Sequence, residues 1–143
     1  MMTAQEEGEI MINLEKEKQT KAGAGILFLL YVNDVPYSSD LFKFILFADD
    51  TTALYSHNNL AHLIQRVNDE LPKINDWFLS NKLALNLSKT NYIIFRSQRK
   101  YFNDSTCKVY IDDQLLECKH VTKFLGVEID QYLSWDYLFK FVI

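Results

Sequence analysis

Leu41-Phe42-Lys43-Phe44-Ile45-Leu46-Phe47-Ala48-Asp49-Asp50-Thr51-Thr52-Ala53-Leu54-Tyr55 is an apolar run broken in its middle by two adjacent carboxylates. Leu41 to Ala48 and Thr51 to Tyr55 are rich in aromatic, aliphatic and β-branched residues. Both flanks therefore read as buried strands, with a tight turn at Asp49-Asp50. Holding two like charges ionised at the tip of an apolar hairpin is costly, and a bound cation offsets that cost. Hard oxygen ligands of this kind suit Mg²⁺. Asp-Asp also occurs in ordinary solvated turns. The chain carries such a control in Asp112-Asp113, a plainer hairpin turn between Val109-Tyr110-Ile111 and Leu115-Leu116. What sets Asp49-Asp50 apart is the long apolar strand before it.

The chain has 143 residues, 48% of them apolar, enough to build a core in one domain or in part of a larger one. The longest uninterrupted apolar run, Ile26 to Val32, is far shorter than the roughly 20 residues that cross a bilayer, so no membrane partner is expected. Glu6, Glu7 and Glu9 precede any apolar run, the wrong sign for a signal peptide. The expectation is an intracellular protein of cytoplasm or nucleus, not a secreted one. The net charge of −4 argues against a protein that simply coats nucleic acid. The basic residues are nevertheless concentrated between Lys82 and Lys123, where 8 of them face 4 acidic ones. A phosphate-bearing partner would be drawn there, and a solvated surface is the plain alternative. Cys107 and Cys118 lack the spacing of a metal motif. If Asp112-Asp113 is a two-residue hairpin turn, Cys107 falls opposite Cys118, near enough to bridge under oxidation. In a reducing compartment both are expected as thiols.

Taken in order, residues 1–22 are hydrophilic apart from Ile10-Met11-Ile12 and read as a mobile tail or a short helix. At Ala22-Gly23-Ala24-Gly25 the composition changes. Ile26 to Val32 is then a core element, a buried helix or a central strand, ended by Asn33-Asp34-Val35-Pro36. Leu60, Leu63, Ile64, Val67, Leu71, Ile74, Trp77 and Phe78 recur at helical steps and form a core-facing stripe. Asn58 or Asn59 suits its N-cap, Pro72 is expected to kink or divide it, and Asn81 suits a left-handed C-cap. His57 and His62 read as surface residues. Leu83 to Leu87 and Tyr92 to Phe95 read as strands, and Arg96 to Ser105 as a basic connection. Val109 to Ile111 and Leu115 to Glu117 form the second hairpin. Val121 to Ile129 reads as a strand with Gly126 inside it, and Ser134 as the N-cap of a further helix.

Four of these blocks, collinear over about residues 25–138, resemble the reverse transcriptase domain of Jockey-like non-LTR retrotransposons. Gly25 to Pro36 looks like the end of the motif that positions template and nucleotide, in which the apolar run is a helix. Leu46-Phe47-Ala48-Asp49-Asp50-Thr51-Thr52 matches the catalytic hairpin of the polymerase palm. Asn81 to Thr90 looks like the following palm motif, whose lysine, here Lys89, lies near the incoming triphosphate. Lys123-Phe124-Leu125-Gly126-Val127, with Leu133-Ser134-Trp135, resembles the primer-gripping hairpin leading to the thumb.

The resemblance implies an α+β fold: a partial palm with an antiparallel sheet, a catalytic-type hairpin packed on helices and the start of a thumb, over residues 23–143. It implies RNA-directed DNA polymerase chemistry, template-directed nucleotidyl transfer with two divalent ions, Mg²⁺ or Mn²⁺. Asp49 and Asp50 would be the catalytic and metal-binding carboxylates, with Lys89 on the pyrophosphate. Lys123, Phe124, Leu125, Gly126, Arg96, Arg99 and Lys100 would meet nucleic acid. The partners implied are an RNA template, a DNA primer and dNTP. The family's other essential carboxylate sits on a strand before the apolar helix, where this chain has residues 1–22 with no matching strand in its pattern. The expectation is therefore a fragment, inactive alone, whose metals bind only if the site is completed, for instance by a missing polymerase portion in trans. The alternative is a non-catalytic remnant that binds nucleic acid or protein through its basic region.

Overall fold

The computed structural model describes residues 8–16, 34–47, 50–97 and 107–133. They form an α+β protein. β1 (Gly8–Leu14), β2 (Lys43–Phe47), β3 (Asp50–His57) and β4 (Asn91–Phe95) share one sheet with the short β7 (Glu117–Cys118), in the order β2-β3-β1-β4-β7. β3 and β4 both run antiparallel to β1 and are joined through the single described α-helix, α1 (Leu60–Ser80), so β1 is inserted into a split β-α-β unit. A 3-10 turn at Val35–Ser38 precedes β2. Two small hairpins complete the fold: β5 (Tyr110–Ile111) with β6 (Gln114–Leu115), and β8 (Val121–Phe124) with β9 (Val127–Asp130). Among the described residues no helix is long and apolar enough to cross a membrane.

The position of β1 corrects the reading of residues 1–22 as a tail or short helix. Ile10, Met11, Ile12 and Leu14 are all buried, and β1 pairs along its length with β3 and over five residues with β4. The face of β1 toward α1 carries Ile10, Ile12 and Leu14 and the other carries Glu9, Met11 and Asn13, so Met11 hides the alternation inside a short apolar block. Three apolar residues between polar flanks are too few to register as a periodicity. The boundary expected at residue 22 thus has part of the same sheet on its N-terminal side.

Ile10, Ile12 and Leu14 project to the same face of the sheet as Ala53, Tyr92 and Ile94. Against that face lies the stripe of α1, with Leu63, Val67, Leu71, Ile74 and Phe78 fully buried. Asn59 caps α1, its Oδ1 accepting the His62 N–H at 3.1 Å. Of the two outcomes expected at Pro72, a kink or a division, the division does not occur: one helix runs through it, with the buried stripe continuing on both sides. The left-handed residue at the C-terminus is Lys82 (φ 58°), not Asn81 (φ −94°). Leu83 N–H donates to Phe78 O at 2.8 Å and Lys82 N–H to Leu79 O at 3.0 Å, a Schellman closure with Leu83 and Phe78 both buried.

Further expectations shift in detail. Asp50 is not in a turn; it begins β3 opposite Phe47. Leu83 to Leu87 is not a strand and gives only one bridge, Leu85 with Lys16. Val121 to Ile129 is not one strand but a hairpin turning at Leu125 (φ 50°) and Gly126 (φ 84°). Positive φ at both central residues is the primed turn that matches strand twist, which explains the glycine. Asp112 (φ 48°) and Asp113 (φ 64°) make the expected two-residue turn of the β5–β6 hairpin. The second arm of that hairpin ends at Leu116, after which β7 leaves it to pair with β4. The apolar run 26–32 and Ser134 lie outside the described residues.

Two measurements test this packing. Ile12→Ala should cost about 2–4 kcal/mol of unfolding free energy in urea, whereas a tail residue would change it hardly at all. Burial, reinforced by the neighbouring Cys118, pushes the Tyr92 hydroxyl well above its usual range, and the hydroxyl donates to Cys107 O at 2.9 Å. The folded chain therefore holds this proton where the unfolded chain releases it. The associated stability is complete below about pH 10 and falls as pH rises further. Tyr92→Phe should flatten the alkaline decline of stability relative to the parent.

Candidate functional site

Because side chains alternate along a strand, the sheet face opposite α1 receives Asn13 and Glu15 from the β1 segment, Asp50 and Thr52 from β3, and Asn91 from β4. The β8–β9 hairpin stands over this face. Between them lies a cleft of about 510 Å³, lined on the sheet side by Asn13, Glu15, Asp50, Thr52 and Asn91 and on the hairpin side by Lys123, Phe124, Leu125, Gly126 and Glu128.

Its floor is a cross-strand polar network. The Asn13 side-chain amide donates to Asn91 Oδ1 at 2.9 Å and to Thr122 Oγ1 at 3.2 Å, and the Thr52 hydroxyl donates to Asn13 Oδ1 at 3.4 Å. Thr52 and Thr122 are buried. Buried amide and hydroxyl groups retain their places only when satisfied in this way. The network therefore fixes the hairpin over the sheet as well as shaping the floor.

Glu15 and Asp50 are brought together by register. Leu14 is paired with Thr51, and the next residue on each chain is Glu15 and Asp50. Both carboxylates are exposed at the mouth. The backbone of Glu15 is held on its other side, its carbonyl accepting Asn86 N–H at 2.8 Å and its N–H donating to Thr90 Oγ1 at 3.2 Å. Lys16 Nζ donates to Thr51 Oγ1 beside them.

Of the residues singled out from sequence, the cleft gathers Asp50, Lys123, Phe124, Leu125 and Gly126. Lys89 is exposed in the turn before β4, at the same end of the sheet. Its carbonyl accepts the side-chain amide of Asn91 at 3.0 Å, which ties that turn to the cleft floor. Arg96 stands apart. It follows Phe95, which pairs with Glu9 at the opposite end of β1, and its guanidinium lies 5.4 Å from the Tyr132 ring centroid. Asp49, Arg99 and Lys100 lie outside the described residues. Sequence reasoning missed Glu15, Asn13 and Asn91. The one available signal was the polar position within the apolar Ile10 to Leu14 block, which marks the solvent-side face of a strand.

The donors around Asp50 are carboxylate, amide and hydroxyl oxygens, a set that fits a hard cation such as Mg²⁺ or Mn²⁺ and not a soft one. Among the described residues no group of three or more His, Cys, Asp or Glu is close enough to hold an ion. Asp49, the further acidic residue of the hairpin, is not among them.

No family model matches the chain, and comparisons with curated proteins and with solved structures likewise find no match. The network itself is open to test. Asn13→Ala should cost about 1–2 kcal/mol of stability and speed amide exchange in β8 and β9, while β2 amides keep their protection.

Proposed function

We propose that this chain is part of a reverse transcriptase palm, an RNA-directed DNA polymerase unit that holds the growing primer end and the incoming dNTP over the Asp49-Asp50 hairpin. The observation that carries the reading is the convergence of two blocks far apart in sequence. Asp50 on β3 and Phe124-Leu125-Gly126 at the β8–β9 turn, each singled out from its own motif, line one cleft. Chance resemblance in separate segments gives no reason for them to meet.

In this reading Glu15 takes the place that the resemblance assigns to an upstream carboxylate. It lies on the strand next to β3, one residue beyond the Leu14–Thr51 pair, and on the same face as Asp50. Asp49, Asp50 and Glu15 would hold the ions. Two divalent ions, when bound, activate the primer 3′-hydroxyl and hold the departing pyrophosphate. The chain's own residues position the reactants. The apolar turn of the hairpin packs on the sugar and base of the primer end, and the Asn13–Asn91 floor keeps that hairpin at a fixed height. Lys89, at the same end of the sheet, offers an ammonium to the triphosphate.

The alternative of a basic binding remnant finds less support, since the described cations of that region do not gather on one surface. Lys119 and Lys123 line the cleft, while Arg96 lies at the far end of the sheet.

The test is binding of a recessed RNA–DNA primer–template with and without Mn²⁺. The chain alone is expected to bind it in a divalent-dependent way and not to extend it. Asp50→Asn, Asp49→Asn and Glu15→Gln should each weaken the divalent-dependent part by roughly tenfold or more, with circular dichroism unchanged. Binding that depends only on salt and is indifferent to all three substitutions would overturn the palm reading. Templated extension lost on Asp49→Asn would overturn the expected inactivity instead.

A further inference from the structure

Cys107 and Cys118 lie outside the cleft and have no part in the function proposed above. The β5–β6 register sets Tyr110 opposite Leu115 and Ile111 opposite Gln114, and Leu116 N–H donates to Val109 O at 2.9 Å. Beyond Leu116 the second arm leaves this register, with Cys107 two residues before Val109 on one arm and Cys118 two residues after Leu116 on the other. There β7 turns toward β4, and Cys118 becomes the parallel neighbour of Tyr92. The Tyr92 side chain closes the triangle: its hydroxyl donates to the Cys107 carbonyl at 2.9 Å, and it also interacts with the Cys118 side chain. One phenol thus contacts both cysteine residues.

Their environments differ in a useful way. Cys118 is exposed and Cys107 is buried, and no disulfide joins them. An oxidant in solution reaches the first and not the second.

We propose that Cys107 and Cys118 are a peroxide-responsive thiol pair that closes into a disulfide and staples the base of the β5–β6 hairpin to β4. A hydroperoxide oxidises the Cys118 thiol to a sulfenic acid, its O–O bond breaking and one water or alcohol leaving. The Cys107 sulfur then attacks the Cys118 sulfur, the S–S bond forms, and the sulfenic oxygen departs as water with the Cys107 proton. The peroxide gains the two electrons that the thiols lose. A disulfide needs Cβ atoms about 3.5–4.5 Å apart. Tyr92 brings both residues to the base of one hairpin, where the two arms are no longer paired with each other and can close.

The staple would act on more than the hairpin. Asn68 of α1 donates to Lys108 O and accepts from Tyr110 N–H, both at 2.9 Å, and Asn75 of α1 donates to the Asp112 carboxylate. Joining Cys107 to Cys118 therefore ties α1, the hairpin and β4 into one unit.

The experiment treats the full chain with hydrogen peroxide near stoichiometry, blocks remaining thiols under denaturing conditions and maps the peptides by mass. The expected result is a Cys107–Cys118 cross-linked peptide from monomeric protein, reversed by dithiothreitol, with a raised Tm and slower proteolysis of the 107–118 segment. Cys107→Ser and Cys118→Ser should each abolish the cross-link. Cys118 carried to sulfinic acid while Cys107 remains alkylatable, or disulfides formed only between chains, would overturn the proposal, as would two thiols inert to peroxide. The mapping uses the parent chain, so a variant that fails to fold leaves the outcome decided.

Discussion

The insertion of β1 between β3 and β4 is the constraint on which the other parts of the molecule depend. Ile10, Ile12 and Leu14 close the core against α1 while their backbones hydrogen-bond to a strand on each side. A strand so enclosed has no freedom of register, because a slip of one residue would turn its buried set outward and bring Asn13 and Glu15 into the core. The apolar face of α1 then has a single surface to cover. The Schellman closure at Lys82 and the turn before β4 return the chain to the free side of β1.

Fixing that register also fixes the opposite face. Asn13 can reach Asn91, Thr52 and Thr122 only if it points away from α1, and the same alternation puts Glu15 beside Asp50. The β8–β9 hairpin is tied to the sheet by the Asn13–Thr122 hydrogen bond at the cleft and by Arg96 N–H donating to Gln131 O at its base, so polar contacts help to set its place over the cleft. This division of labour is common where a site must admit a ligand: one face of the sheet supplies stability and the other supplies oriented polar groups. The cysteine pair sits at the other margin of the sheet, where β7 joins β4, and would act on the core side through α1.

Much of the fold was legible in the residues. The helix over 60–78, its cap at one of the two asparagines Asn58 and Asn59, the strands flanking Asp49-Asp50, the Tyr92–Phe95 strand and the Asp112-Asp113 turn each follow from local periodicity or turn chemistry. The departures also have local causes. Asn81 was favoured for left-handed geometry on propensity, while the chain needed that geometry one residue later to bring Leu83 onto Phe78. Local pattern alone puts Gly126 inside a strand, because nothing in the run Val121 to Ile129 shows where it folds back; the hairpin found there was expected only from the resemblance.

The sequence by itself determined that this is a mixed α and β chain with its carboxylates on a strand-rich hairpin, since those features are encoded by neighbours a few residues apart. Only the tertiary structure decided that the polar N-terminal stretch contains the central strand, and that Glu15 stands next to Asp50 across the cleft from Phe124-Leu125-Gly126. The physical reason is that strand partners are chosen by burial and register over the whole sheet. Neither quantity is written in any single segment.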